Sequence, residues 1–283
     1  MGIALAERVG GEIVSADSRQ VYRQLTIGTA KPSPAELARV PHHFIDELDF
    51  SEPFSAGRFA EDASERIQAV LERGAIPIVV GGSTLYVEAL LHGLAEVPPT
   101  TAQTRQRLMQ RLDIEGAAVL FQELLEVDPT SAATMDATKT QRVVRALEVY
   151  EDTGRPLSDF HAQRSAAPFD FAPIVLTRPR QELYERINQR VDRMLEAGLV
   201  EENRRLLEQP DGLNPLRTIG YREPMAYLRG EMDYGEMVRL LKRNSRRYAK
   251  RQLTWFRRHE EYRWLDVSEE EDPLGAVSAC LSL

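Results

Sequence analysis

Residues 75–91, AIPIVVGGSTLYVEALL, constrain the fold more than any other stretch of the chain. Ile76 to Val80 is a continuous apolar run, ended by Gly81-Gly82 before two hydroxyls and a helical pattern. The run lacks the alternation of a half-solvated strand and reads as a strand covered on both faces. EIVSAD, residues 12–17, is a second short run of this kind, and it ends on a carboxylate. Between them, SAGRFAEDASERIQAVLERG is amphipathic at helical spacing and stops at Gly74, as helices often do. Apolar strands alternating with helices predict an α/β fold built on a parallel sheet. Ligands of such sheets bind beyond the carboxyl ends of the strands. That rule places Asp17 and Ser83-Thr84 at the rim of one pocket.

The flanking sequence extends the pattern. GIALAERV reads as a short helix closed by Gly10-Gly11, and PSPAELARV as another. From about Pro98 the strands disappear. TAQTRQRLMQRL, AAVLFQELLEV, SAATM and KTQRVVRALEVYEDTG read as consecutive helices, so residues 99–165 are expected to form a helical insertion. FAPIVLT restores a strand and RQELYERINQRVDRMLEAG follows as a long helix, which assigns 1–98 and 166–283 to one core. A length of 283 residues is enough for a large domain with a smaller one. Cys280 is the single cysteine, which excludes an internal disulfide and points to a reducing compartment. No apolar run approaches the ~20 residues that span a bilayer. These features together predict a cytoplasmic protein without a membrane partner.

A net charge of −8 argues against bulk binding of nucleic acid, yet residues 239–258 carry nine Lys or Arg and no acid. Arg239, Lys242, Arg243, Arg246, Arg247, Lys250 and Arg251 recur at helical spacing along one face, while Val238, Leu241, Tyr248 and Trp255 form a seam expected to pack on the core. A solvated charged face is the plain reading of such a stripe. Its single sign favours a polyanion instead. Asp17 alone reads equally as a turn or cap residue. With Ser18, Arg19 and Gln20 beside it, the group has the donors and acceptors to read a ligand edge. Ser83 precedes a helix, where free N–H groups and the dipole suit an anion. Arg217, Tyr221 and Arg222 around Gly220 form either a loop before a helix or a device for holding a phosphate and a base.

Taken together, SADSRQVYRQLTIGTAKP, PHHFID, IPIVVGGSTLYVEALL, QRVVRALEVY, IGYRE and KRQLTWFR resemble the tRNA dimethylallyltransferases, the isopentenyl-pyrophosphate:tRNA transferase family. The resemblance implies a P-loop-kinase-like core of nucleotide-binding type, with a helical insertion that grips the anticodon stem of a tRNA. It implies transfer of a dimethylallyl group from dimethylallyl pyrophosphate to N6 of the adenine immediately 3′ of the anticodon, with Mg²⁺ as cofactor. Asp17 matches the acid that meets the N6 amine. Ser83 stands where the family usually has threonine, a hydroxyl that steadies the pyrophosphate, and Arg190 matches an arginine that touches it. The tRNA-contacting segments match Asp17, Ser18, Arg19 and Gln20; Arg105; Gln141, Arg142, Val143, Val144 and Arg145; Arg217, Thr218, Ile219, Gly220, Tyr221 and Arg222; and Lys250, Arg251, Gln252, Leu253, Thr254, Trp255, Phe256 and Arg257. No metal ligand is assigned, and a monomer is expected.

One departure shapes the remaining expectations. The family pattern opens with a strand and a phosphate loop, GPTxxGK[ST], and Met1 falls just beyond where that motif ends. The 283 residues are therefore expected to leave apolar sheet edges open, to bind tRNA and to transfer little dimethylallyl group. A tRNA-binding form without catalysis is one alternative. A nucleotide kinase, or a transferase acting on free adenine nucleotides, is the other.

Overall fold

The computed structural model describes residues 1–95, 97–161, 168–210 and 213–281. It divides into two compact units, Met1–Leu91 with Pro168–Leu283, and His92–Ala167. The insertion thus begins at the end of a helix rather than at residue 99, and the expected boundary near Ser165 lies outside the described residues.

The first unit opens with α1 (Gly2–Val9), capped by Gly10 in the left-handed region, and β1 (Gly11–Ala16). α2 (Pro34–Leu37) is a single turn, held by a capping box between Ser33 and Glu36. β2 (His42–His43), α3 (Ala56–Glu72), β3 (Ile76–Gly81) and α4 (Thr84–His92) follow. α3 turns Phe59, Ala63, Ile67 and Val70 inward at intervals of three and four, which is why a chain stretch this charged stays helical. β1 is parallel to β3 on one side and to β2 on the other, giving the order β2-β1-β3.

The second unit is helical: α5 (Ala102–Glu115), α6 (Ala117–Val127), α7 (Pro129–Ala132), α8 (Thr140–Thr153) and α9 (Leu157–His161). Leu108, Leu120, Leu124, Val143, Val144 and Leu147 fill its core. Asp128 is fully buried there. Its two carboxylate oxygens accept the N–H groups of Ser131 and Ser158, both at 3.0 Å, and so tie α6, α7 and α9 together. Burial pushes its pKa up, but the bonds from Ser131 and Ser158 outweigh that and leave it below the usual aspartate value.

The chain then returns to the first unit through β4 (Ile174–Thr177), α10 (Arg180–Glu196) and α11 (Leu199–Arg205), a 3₁₀ turn (Asn214–Arg217), α12 (Arg222–Leu228), α13 (Tyr234–Phe256), β5 (Arg263–Asp266) and α14 (Pro273–Leu281). β4 and β5 are also parallel but form a sheet of their own. The expected α/β fold with parallel strands is present, and among the described residues its strands form two parallel sheets. Between them lies an open cleft of 880 Å³, lined by residues of β3 and β4 and by Ala249, Leu253 and Phe256 of α13. No described residue pairs β3 with β4, and Val80 and Leu176 on them are each 40% exposed. No described helix is long and apolar enough to cross a membrane.

Asp128→Asn keeps the acceptor shape of one oxygen and loses the charge, so the helical unit should open more easily by about 1–3 kcal/mol at pH 7. A folded-state pKa below the ordinary value stabilises the unit above that value and ceases to do so as pH falls through it. The gap between wild type and variant should therefore hold from pH 7 to about 5 and narrow below about 4. Amide hydrogen exchange of residues 128–160, followed by mass spectrometry across that pH range, measures it. A gap that is absent, or widens in acid, contradicts the assigned role.

Candidate functional site

β1 and β3 pair in register from Gly11↔Ile76 to Ala16↔Gly81, so Asp17 and Ser83 leave the sheet side by side. A Cβ on Gly81 would lie 2.2 Å from the Ala16 carbonyl oxygen, so the strands can run this close only with glycine there. Ser83 N–H donates to the Ala16 carbonyl at 3.3 Å, and Ser18 N–H donates to Ser83 Oγ at 3.0 Å. Asp17 Oδ1 accepts the N–H groups of Arg19 and Gln20 at 2.8 and 3.2 Å, which curls the chain back over the strand end. Asp17 thus serves the turn and the pocket at once. Its other oxygen, Oδ2, accepts no hydrogen bond among the described residues.

The next loop is fixed by a single carboxylate. Glu202 on α11 accepts the N–H groups of Ile27 at 2.8 Å and Gly28 at 3.2 Å, a longer bond from Thr26, and the Tyr221 hydroxyl at 2.6 Å. Tyr221 is wholly buried, and burial with the charge of Glu202 raises its pKa far above the usual phenol. The loop in turn presents the Thr29 carbonyl to Gln20 Nε2 at 3.2 Å and to Arg190 of α10 at 3.5 Å. Crowding by protein lowers the Arg190 pKa, against the opposing pull of Asp17. Arg19 reaches across to Asn214 at 3.2 Å. Asp17, Ser18, Arg19, Gln20, Ser83 and Arg190 therefore form one cluster at the carboxyl ends of β1 and β3.

Other expected residues divide differently. Tyr221 and Phe256 are core, and Gly220, at φ +94, is buried with its N–H on Glu223; they shape the loop and present no side chain outward. Thr218 and Ile219 are half-buried, whereas Arg217 and Arg222 stand exposed. On α13, Gln252 donates to the Gly82 carbonyl at 2.7 Å, and Leu253 and Trp255 are half-buried, while Lys250, Arg251, Thr254 and Arg257 face solvent. Part of the stripe of like charge already has partners, one an acid of α10, one an acid of α13 itself and one a neutral amide of α10. Lys242 pairs with Asp192 at 2.6 Å, Arg239 with Glu236 at 2.6 Å, and Arg246 donates to Asn188 at 2.6 Å. Arg247, Lys250 and Arg251 are exposed and make no ion pair among the described residues. In the helical unit, Val143 and Val144 are core rather than contact residues. Arg105 bonds Glu148 at 2.8 Å and Gln141 at 3.2 Å, Arg145 bonds Thr100 at 2.6 Å, and Arg142 is exposed.

One site residue was misread from the sequence. Tyr248 does not pack on the core with Leu241; it is 40% exposed and turns its hydroxyl toward the Gly82 carbonyl at 3.4 Å. Protein around that hydroxyl, and next the charge of Asp17, raise its pKa, while a hydrogen bond with Ser83 opposes them.

Among known proteins, a family model described as IPP transferase matches residues 20–259. A tRNA dimethylallyltransferase of Salinibacter ruber is 58% identical over 95% of this chain and 84% of its own length. One of Chlorobium chlorochromatii is 47% identical over 96% and 90%. A crystal structure of a tRNA isopentenylpyrophosphate transferase from Bacillus halodurans superposes with a TM-score of 0.70 at 38% identity, covering 99% of this chain and 91% of that one. The structure of a eukaryotic dimethylallyltransferase acting on tRNA gives 0.78 at 26% identity, covering 99% and 74%. The parallel strands, the pocket at their carboxyl ends and these likenesses lead to one assignment: the chain belongs to the IPP transferase family.

Proposed function

We propose that the protein transfers a dimethylallyl group from dimethylallyl pyrophosphate to N6 of the adenine immediately 3′ of a tRNA anticodon, acting as a cytoplasmic monomer. The observation that carries this reading is the juxtaposition of Asp17 and Ser83, with Ser18 N–H bonded to Ser83 Oγ, beside Arg19 and Arg190. An exocyclic amine is a weak nucleophile because its lone pair is delocalised into the ring. The Asp17 carboxylate accepts its proton as the N6–carbon bond forms and the allylic carbon–oxygen bond breaks. The electron pair of that bond leaves with pyrophosphate. Negative charge therefore grows on the departing oxygen, where the Ser83 hydroxyl and the Arg190 guanidinium are placed to meet it. Gln20, whose amide nitrogen donates to the Thr29 and Ala30 carbonyls and whose oxygen accepts the Ser15 hydroxyl, keeps one lone pair of Oε1 for the base edge.

A magnesium ion is compatible with this oxygen set. Mg²⁺ takes few protein ligands beside substrate phosphates, and the Ser18 and Ser83 hydroxyls are oxygen donors beside Asp17. When bound, it would neutralise charge on the pyrophosphate. Arg247, Lys250 and Arg251 on α13, and separately Arg105, Arg142 and Arg145 on the helical unit, supply cations for RNA phosphates.

Asp17→Asn tests the acid role cleanly, because an amide oxygen still accepts the N–H groups of Arg19 and Gln20. Transfer should fall roughly 10²-fold or more, with affinity for an anticodon stem–loop little changed. Single-turnover transfer with enzyme in excess over the RNA separates the two. A normal rate with weakened binding would make Asp17 a binding residue alone. Equal transfer to free adenine nucleotide and to stem–loop would favour a nucleotide-level enzyme.

A second outcome concerns the charges left open on α13. Replacing Arg247, Lys250 and Arg251 together by Gln should flatten the slope of log affinity for tRNA against log salt by about two to three. Replacing Lys242 and Arg246, which already have partners, should change it less. Fluorescence anisotropy of labelled tRNA over a salt series measures both, and equal slopes in all three proteins would leave the helix as solvated surface.

A further inference from the structure

We propose that Tyr248 is the platform on which the acceptor adenine stacks once it leaves the anticodon loop, a role that rests on the tRNA reading of the pocket. Three observations converge on this side chain. Its phenol is anchored at the strand ends, with the hydroxyl 3.4 Å from the Gly82 carbonyl and in reach of Ser83, so the ring cannot swing freely. The ring itself stays open, since the residue is 40% exposed on a helix whose buried residues are Met237, Leu241 and Phe256. Its surroundings are those of the pocket: the charges of Asp17, Arg19 and Arg251 all act on the hydroxyl, and the Arg251 guanidinium lies 5.7 Å from the ring centroid.

An aromatic ring held at its polar end, partly exposed and flanked by the Arg251 guanidinium, suits a second flat ring. Extruding a base from a stacked loop costs a few kcal/mol, least where the strand is single. Stacking on an aromatic side chain returns about 1–3 kcal/mol per base without regard to sequence. A base lying on Tyr248 would sit beside Asp17, whose charge acts on the Tyr248 hydroxyl. Stacking and proton transfer would then act on the same base. That separates Tyr248 from Asp17 in function: one fixes the plane of the base, the other takes its proton.

The experiment uses an anticodon stem–loop with 2-aminopurine at the acceptor position and no donor, so it is independent of transfer. Stacked 2-aminopurine is dim and unstacked 2-aminopurine is bright. The wild-type complex should stay dim, Tyr248→Phe should match it, and Tyr248→Leu and Tyr248→Ala should brighten several-fold at saturating protein. Circular dichroism of each variant confirms the fold, and a separate 5′ label reports binding by anisotropy. If the stem–loop binds and all four proteins give the same brightness, the stacking role is overturned and the transferase reading stands. If Tyr248→Phe brightens as much as Tyr248→Ala, the hydroxyl and not the ring face is what matters, which also overturns it. If wild type fails to bind the stem–loop, the tRNA reading falls and this proposal falls with it.

Discussion

Close approach of two parallel strand ends is the constraint on which the pocket depends. Ala16 and Gly81 lie so near that a methyl group on Gly81 would strike the Ala16 carbonyl. The consequence is chemical as well as steric. Asp17 follows β1 by one position and Ser83 follows β3 by two, and the shared register brings the acid and the hydroxyl close together. Ser83 N–H closes on the Ala16 carbonyl and Ser18 N–H closes on Ser83 Oγ, so the two strand ends are laced together. A pocket assembled this way holds its groups in place before any ligand arrives, which is the condition for stabilising charge as it develops.

The second support is a pair of carboxylates, Glu202 half-buried and Glu223 buried. Glu202 holds the Thr26–Gly28 loop by its backbone and Tyr221 by its hydroxyl, while Glu223, 2% exposed, gathers Gly220 N–H, Asn244 and Arg222. Removing a carboxylate of this kind strands several donors at once, at a cost of several kcal/mol rather than the fraction typical of a surface pair. Gly28 packs so tightly that an added Cβ would touch the Tyr221 ring at 2.6 Å. The residues that grip this loop lie in a segment nearly two hundred positions downstream. Contacts at that separation explain why the IGYRE stretch reads as a binding motif in sequence yet puts Tyr221 in the core.

What sequence made legible follows the same physics. β1 and β3 stand out as continuous apolar runs, although only β1 is covered on both faces while β3 is half-buried with Val80 exposed, and α3, α8 and α10 stand out through their periodicity. β2 has two residues and no pattern to detect, and β5, Arg-Trp-Leu-Asp, is half-solvated and charged at both ends. Asp17, Ser83 and the turn from Ser18 to Gln20 are legible because strand ends are where α/β folds bind ligands. The pairing of Lys242 and Arg246 is not, because their partners Asp192 and Asn188 come from α10 and no local spacing reveals them. Tyr248 shows the limit of periodicity. It shares a seven-residue stripe with Leu241 and Trp255, which pack on buried clusters, but at Tyr248 α13 passes the end of β3 and the hydroxyl turns to the Gly82 carbonyl instead.

Charge raises a last question, since a chain of net −8 is asked to hold a polyanion. At physiological ionic strength a charge is screened within ~8 Å, so the whole-chain total has little reach. What an approaching phosphate meets is the local set. Around the pocket that set is Arg19, Arg190 and Arg251, with Asp17 as the acid acting on the same groups. The acids that produce the negative total lie elsewhere, including Glu7, Glu36, Glu115 and Asp266, each already occupied by a neighbouring donor. Asp17 keeps its own second oxygen open because a turn, not a cation, satisfies the first. A carboxylate paired directly to an arginine would be a poorer proton acceptor, its charge already committed. Backbone N–H groups hold Asp17 in position and leave one oxygen free to act, while the guanidinium groups beside it remain available to the leaving anion.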